Sequence, residues 1–238
     1  MDNKTKIYIA FTLAWIVSIC WIIGDVALVG FEPSPEKYPL FSVDYAQKVD
    51  VDTAVHMLEG STPRLMFGAL IGALTAPLLL PAMWLLRQFF RGQNSCSAWL
   101  TYLPLMAGVV LSPLGHAAFF YVGEIYKLVL NTDQGLHLPI LQTADDFVNM
   151  LNMSWLLAVM VLGLGWINLM IAILLKRTHL PRWMAILTPV PLSIMILLMK
   201  YVINAPYAAW IGGATFNLAY LIFFVVLFSF RQAIIGSK

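Results

Sequence analysis

The chain has 238 residues, 61% hydrophobic and only 11% charged, with a formal net charge of +2 and a mean hydropathy of +0.82. So few charges exclude a soluble globular domain of this size, because the water-facing surface would lack polar cover. The basic residues are dispersed singly, which gives no footprint for nucleic acid, and the two cysteines, Cys20 and Cys96, are too far apart in sequence for a CxxC motif or a disulfide framework.

Six apolar stretches are long enough to cross a hydrocarbon layer of about 30 Å at roughly 1.5 Å per residue. They lie at about 7–30, 65–86, 98–122, 153–175, 182–203 and 206–230. The expected fold is therefore an all-α polytopic transmembrane bundle forming one domain over residues 1–238, with outer loops at about 31–64 and 129–152. The first stretch exceeds a signal-peptide apolar region and lacks a small-x-small cleavage site, so it reads as a retained span.

Orientation follows from lysine and arginine beside the spans. Nine basic residues, Lys4, Lys6, Arg87, Arg91, Lys176, Arg177, Arg182, Arg231 and Lys238, share one side with a single acid, Asp2. Eleven acids and the other five basic residues fall on the opposite side. The pattern expects an inner-membrane protein with both termini in the cytoplasm and an acidic outer face.

In the first outer loop, three prolines between Phe31 and Leu40 favour an extended path. A short helix is expected from Asp52, as N-cap, to Glu59, ending at Gly60, and Thr62-Pro63 should open span 2. Gly68-Ala-Leu-Ile-Gly72 is a small-xxx-small motif suited to close helix packing, or to a homo-oligomer contact. In the second outer loop, Thr143-Ala-Asp-Asp146 has capping-box spacing, so span 4 is expected to start near 144 and protrude outward.

Ionisable residues inside spans are costly and mark sites, pathways or structural pairs. Asp25 on span 1, His116 on span 3 and Lys200 on span 5 all lie about seventeen or eighteen residues from the inner end of their spans, roughly 26 Å by helical rise. They are expected to form one layer. Arg64, Glu124, Asn204 and Tyr207 fall just above it, His56 and Glu59 can fold down from the first loop, and Asn152 and Ser154 enter from span 4. The bland alternatives are an Asp25 pairing with Lys200 or Arg64 for packing, a snorkelling Lys200, and a Glu124 paired with Lys127 on its own helix. Trp21, Phe120 and other aromatics crowd the same level, as an interfacial belt or as pocket walls. Asn168, Asn217 and Tyr220 read as deeper, inter-helical hydrogen-bonding residues. His137 and His179 read as loop residues.

No HxxE, HxxxH or HExxH spacing occurs, so neither a metal nor another cofactor is expected. His56, His116 and Glu124 form a metal set only if the fold converges them.

The Gly24-Asp25 ending of span 1, the Arg64-Leu-Met-Phe-Gly68 opening of span 2 and the Gly115-His116-Ala-Ala-Phe-Phe core of span 3 resemble a family of uncharacterised bacterial six-helix membrane proteins. The resemblance covers the first half of the chain better than the second and implies no activity. It singles out Asp25, Arg64 and His116.

These residues point to a membrane enzyme whose pocket opens to the outer leaflet and performs acid-base chemistry on a lipid or isoprenoid-like substrate by isomerisation, cyclisation or hydrolysis. Asp25, Glu124 and His116 would be catalytic, and Arg64, Lys200, His56, Glu59, Asn204, Tyr207, Trp21 and Phe120 would bind the substrate. A small proton-coupled carrier using Asp25 and Lys200, and a non-catalytic receptor or assembly factor, are the alternatives.

Overall fold

A computed structural model describes residues 2–93 and 95–235; Lys238, counted among the inner basic residues, lies outside them. Among the described residues the regular elements are helical, with one isolated antiparallel bridge between Phe90 and Thr178. The helices are α1 (Asn3–Val29), α2 (Val51–Leu58), α3 (Thr62–Thr75), α4 (Leu80–Gln88), α5 (Cys96–Leu130), α6 (Gln134–Leu174), α7 (Pro189–Met199), α8 (Tyr207–Gly213), α9 (Thr215–Phe228) and α10 (Gln232–Ile235).

Four of these segments are apolar and long enough to cross a membrane: α1, the run Thr62–Gln88, α5 and α6. Within Thr62–Gln88, Pro77 and Pro81 remove backbone donors, and a 3-10 turn at Ala76–Leu79 links α3 to α4 without ending the run. A fifth crossing is reached if α8 and α9 count as one span bent by 73°.

The stretch 182–203 is not one continuous helix. It consists of a 3-10 turn at Arg182–Ala185 and the eleven-residue α7, which at roughly 1.5 Å per residue is too short by itself to cross the hydrocarbon layer. Pro189 and Pro191 fall in the first turn of that helix, where proline is best tolerated.

The second outer loop also differs from expectation. Only residues 131–133 separate α5 from α6, and α6 runs unbroken through Thr143-Ala-Asp-Asp146. Those residues cap nothing, because the apolar positions Leu141, Ala144, Val148 and Leu151 continue the helical period and are buried. The preceding short helix is capped by Asp50, whose side chain accepts from Thr53 N–H, rather than by Asp52.

α5 and α6 form a long antiparallel hairpin. Gly108 faces Leu162, Gly165 faces Leu105 and Gly115 lies against the Trp155 backbone. At about 52 Å and 62 Å by helical rise, both outrun a 30 Å layer. Their far ends hold a second apolar core with α2 and the first loop, in which Phe41, Met57, Tyr126 and Leu141 are buried. The main core lies at the other end, where Ile7, Phe89, Leu169 and Phe224 meet.

Candidate functional site

α1 and α3 approach closely because glycines face each other across the contact. The Gly68 Cα points at the Gly24 carbonyl and Leu28, leaving no room for a side chain, and Gly24 in turn abuts the Gly68 carbonyl. Trp21 Nε1 donates to the Gly72 carbonyl at 2.9 Å, locking the indole across this junction. Gly68 and Gly72 thus pack against α1 and α5 within the chain.

The space beside Gly72 is filled by His116 of α5. Pro113 lies three residues before it, and the His116 Nδ1–H donates to the Ser112 carbonyl at 3.0 Å. That bond fixes the tautomer: with Nδ1 protonated, a neutral imidazole presents the Nε2 lone pair. Nε2 faces Asp25 Oδ1 of α1 at 3.5 Å, with side-chain exposures of only 14% and 20%. Two lone pairs cannot face each other at this distance in a low-dielectric setting without repulsion. One proton must therefore belong to the pair, on the imidazole or on the carboxyl.

The other carboxyl oxygen, Asp25 Oδ2, accepts from Asn217 Nδ2 of α9 at 2.5 Å. Sequence reasoning placed Asn217 deeper, because a straight span from 206 puts it halfway down. The bend between α8 and α9 removes that depth. The Gly212-Gly213 pair, low in helix propensity, was the available signal.

These groups form the polar end of a cavity of about 270 Å³ between α1, α5, α6, α7 and α9. Its walls are chiefly aromatic and aliphatic, with Trp21, Phe119, Trp155, Trp166 and Phe216 prominent. Tyr220 closes one side. Its hydroxyl accepts from Trp166 Nε1 at 2.8 Å, and no described residue accepts its own proton.

Of the expected site residues, the fold brings together Asp25, His116 and Trp21. The others are engaged elsewhere. Lys200 sits at the C-terminal cap of α7, with its ammonium 5.1 Å from the Tyr201 ring centroid and no ion pair among the described residues. Lys200 is therefore not paired with Asp25. Arg64 donates to the Val26 carbonyl at 2.7 Å and stacks 3.9 Å from the Phe31 centroid. It thereby places a cation over the C-terminal end of α1 instead of beside Asp25.

Glu124 pairs with Lys127 at 2.7 Å and accepts from the Thr62 hydroxyl at 2.8 Å, tying the start of α3 to α5. Glu59 accepts from the Ser34 N–H and pairs with Lys37. His56 Nε2 donates to the Val29 carbonyl at 3.0 Å, and burial holds its pKa below the ordinary histidine value. His56, His116 and Glu124 are thus in three separate bonding sets, and no group of three or more metal-ligating side chains occurs among the described residues. Asn204 and Tyr207 are exposed, Tyr207 against Trp210. Phe120 packs with Leu65 and Ala69, and its neighbour Phe119 is the one that lines the cavity. His137 is not a loop residue: it is buried in the first turn of α6, where Nε2–H donates to the Thr132 carbonyl and Nδ1 accepts from the Tyr45 hydroxyl.

No curated protein and no solved structure matches the chain. Residues 1–231 match the model of a family of unknown function, DUF6796, and the protein belongs to that family.

Proposed function

We propose that the protein is an inner-membrane enzyme whose cavity takes a lipid or isoprenoid-like molecule from the outer leaflet, with Asp25 and His116 moving a proton to and from it. One observation carries this reading: His116 Nε2 and Asp25 Oδ1, 3.5 Å apart, close the polar end of an otherwise apolar cavity. Such a pair can take a proton from a bound molecule and return it without net change in its own charge. Asn217 holds the carboxyl in place. Arg64, Lys200 and Glu124 have no part in the step.

The reading counts six crossings, taking α7 with its flanking turns as the fifth and the bent α8–α9 pair as the sixth. Both termini on one side is supported by Arg231, whose Nε donates to the Tyr8 hydroxyl at 3.3 Å. The basic residues Arg87, Arg91, Arg177 and Arg182 cluster at that same end, the cytoplasmic side by charge. A carrier is less well supported. Lys200 is not available to exchange with Asp25, and the core beneath the cavity is filled by apolar side chains such as Val17, Leu79 and Val109.

The test is incubation of the protein, in lipid nanodiscs, with a total bacterial lipid extract in heavy water, followed by mass spectrometry. Wild type should yield a deuterated or hydrolysed product that Asp25→Asn and His116→Ala, both folded, do not. Indistinguishable lipid profiles from all three would remove the enzyme reading.

A further inference from the structure

The charge inventory around the cavity restricts what can bind there. We infer that the ligand carries an uncharged, hydroxyl-type head group on a hydrocarbon chain, and that anionic lipids are excluded from the site; this rests on the reading of the cavity as a binding site.

An anionic head in a low-dielectric pocket needs a cation beside it. No lysine or arginine lines the cavity. The cations at the outer level are committed: Arg64 to the carbonyls of α1, Lys127 to Glu124, and Lys200 lies over Tyr201. A phosphate at the polar end would instead meet Asp25.

A cationic head is disfavoured for a different reason. With its single shared proton the pair is neutral as a unit. An ammonium could bind well only by expelling that proton.

A hydroxyl matches what remains. His116 Nε2 is buried and has no full hydrogen bond within the chain, because 3.5 Å to Asp25 exceeds ordinary hydrogen-bond reach. The Tyr220 O–H has no acceptor among the described residues. A ligand hydroxyl can satisfy both, donating to one and accepting from the other. This leaves neither of these two cavity groups unpaired, which is the usual basis for strong discrimination between head groups.

Gly163 supplies a control. It lines the cavity, and a β-carbon added there meets nothing within 4 Å. Gly163→Leu should therefore fill the cavity without disturbing the bundle.

The experiment is quenching of intrinsic tryptophan fluorescence in nanodisc-held protein by three ten-carbon probes with one tail: geraniol, geranyl monophosphate and geranylamine. Trp21, Trp155 and Trp166 line the cavity and report occupancy. Geraniol should bind saturably and at least tenfold more tightly than the other two, and Gly163→Leu should abolish it. His116→Ala should bring the three probes to within about threefold of one another, because the tail contribution survives. A preference for the phosphate or the amine, or equal binding of all three by wild type, would overturn the head-group inference alone. Absence of saturable binding by any probe, or binding untouched by Gly163→Leu, would overturn the cavity as the binding site and the inference with it.

Discussion

Gly72 is the surface on which the His116 imidazole rests: a β-carbon there would overlap ring atom Cδ2 and stand 2.8 Å from Cγ. The glycine of a packing motif on α3 therefore sets the position of the ring on α5. The same residue holds the Trp21 indole through its carbonyl.

Gly72→Ala should displace the imidazole from Asp25. Overpacking of this kind costs about 1–3 kcal/mol, partly offset by the roughly 1 kcal/mol better helix propensity of alanine. The expected outcome is a modest fall in melting temperature in detergent with loss of lipid turnover. Full turnover in Gly72→Ala would show that ring position is unimportant.

Asp25→Leu removes the carboxyl that faces His116 Nε2 at 3.5 Å. His116→Leu leaves the carboxyl with Asn217 alone. The double variant should be more stable than the two single losses added together, with a coupling of about 0.5–3 kcal/mol. Chemical denaturation of the four proteins measures it, and strict additivity would mean the pair does not interact.

The depth of Asp25 and His116 is readable from the sequence because α1 and α5 are continuous helices, and counting residues along a continuous helix gives height. The same count misplaces Asn217, which bonds Asp25. The break after Gly213 interrupts the rise, and no periodicity in the flanking apolar residues records a bend. Composition likewise marks Glu124 and Lys127 as neighbours three apart on one helix, but the third member of their cluster, Thr62, comes from sixty-two residues away. The polar Asp145-Asp146 pair suggested a helix start because acidic residues favour first turns. Packing of Leu141 and Ala144 into the outer core overrides that preference.

Arg64→Ala should lower stability by about 1–2 kcal/mol, through loss of the cation at the α1 C-terminus and of the stack on Phe31. Lysine should restore only part of it, because the planar guanidinium both stacks and reaches Val26. Turnover per folded molecule should stay within about twofold of wild type by the heavy-water assay. An unfolding scan alongside that assay separates this helix-capping role from the substrate-binding role that the sequence suggests.

The half-buried His56 ring produces a pH dependence of stability. Burial is the main cause of its lowered pKa, opposed by the Val29 carbonyl and by the charge of Glu59. The unfolded chain therefore binds this proton more readily, and the contribution is fully present above the ordinary value of 6.5 and is lost as pH falls through the lower folded-state value. His56→Gln keeps a donor for Val29 but cannot titrate. The difference between wild-type and variant melting temperatures should shift with pH below that value and be flat above it.

Lys176 closes α6 in the left-handed region, with φ of 58°. The Arg177 N–H donates to the Ala172 carbonyl and the Lys176 N–H to the Ile173 carbonyl, the bond pattern of a Schellman cap. Lys176→Gly should raise stability by roughly 0.5–1 kcal/mol by removing the strain of a β-carbon in that conformation. A lower melting temperature would indicate that the charge, and not the backbone, is what matters there.

The α5–α6 hairpin is built as two stiff beams fixed at both ends. One stretch of it carries His116 and Trp155 in the cavity, and its far end carries Tyr126 and Leu141 in the outer core. No loop interrupts either beam between those levels. A load applied to that far end is therefore delivered as a change of tilt, and tilt alters the width of the cavity between α6 and α9. Mechanically, the second core and the Asp25–His116 pair are opposite arms of one lever.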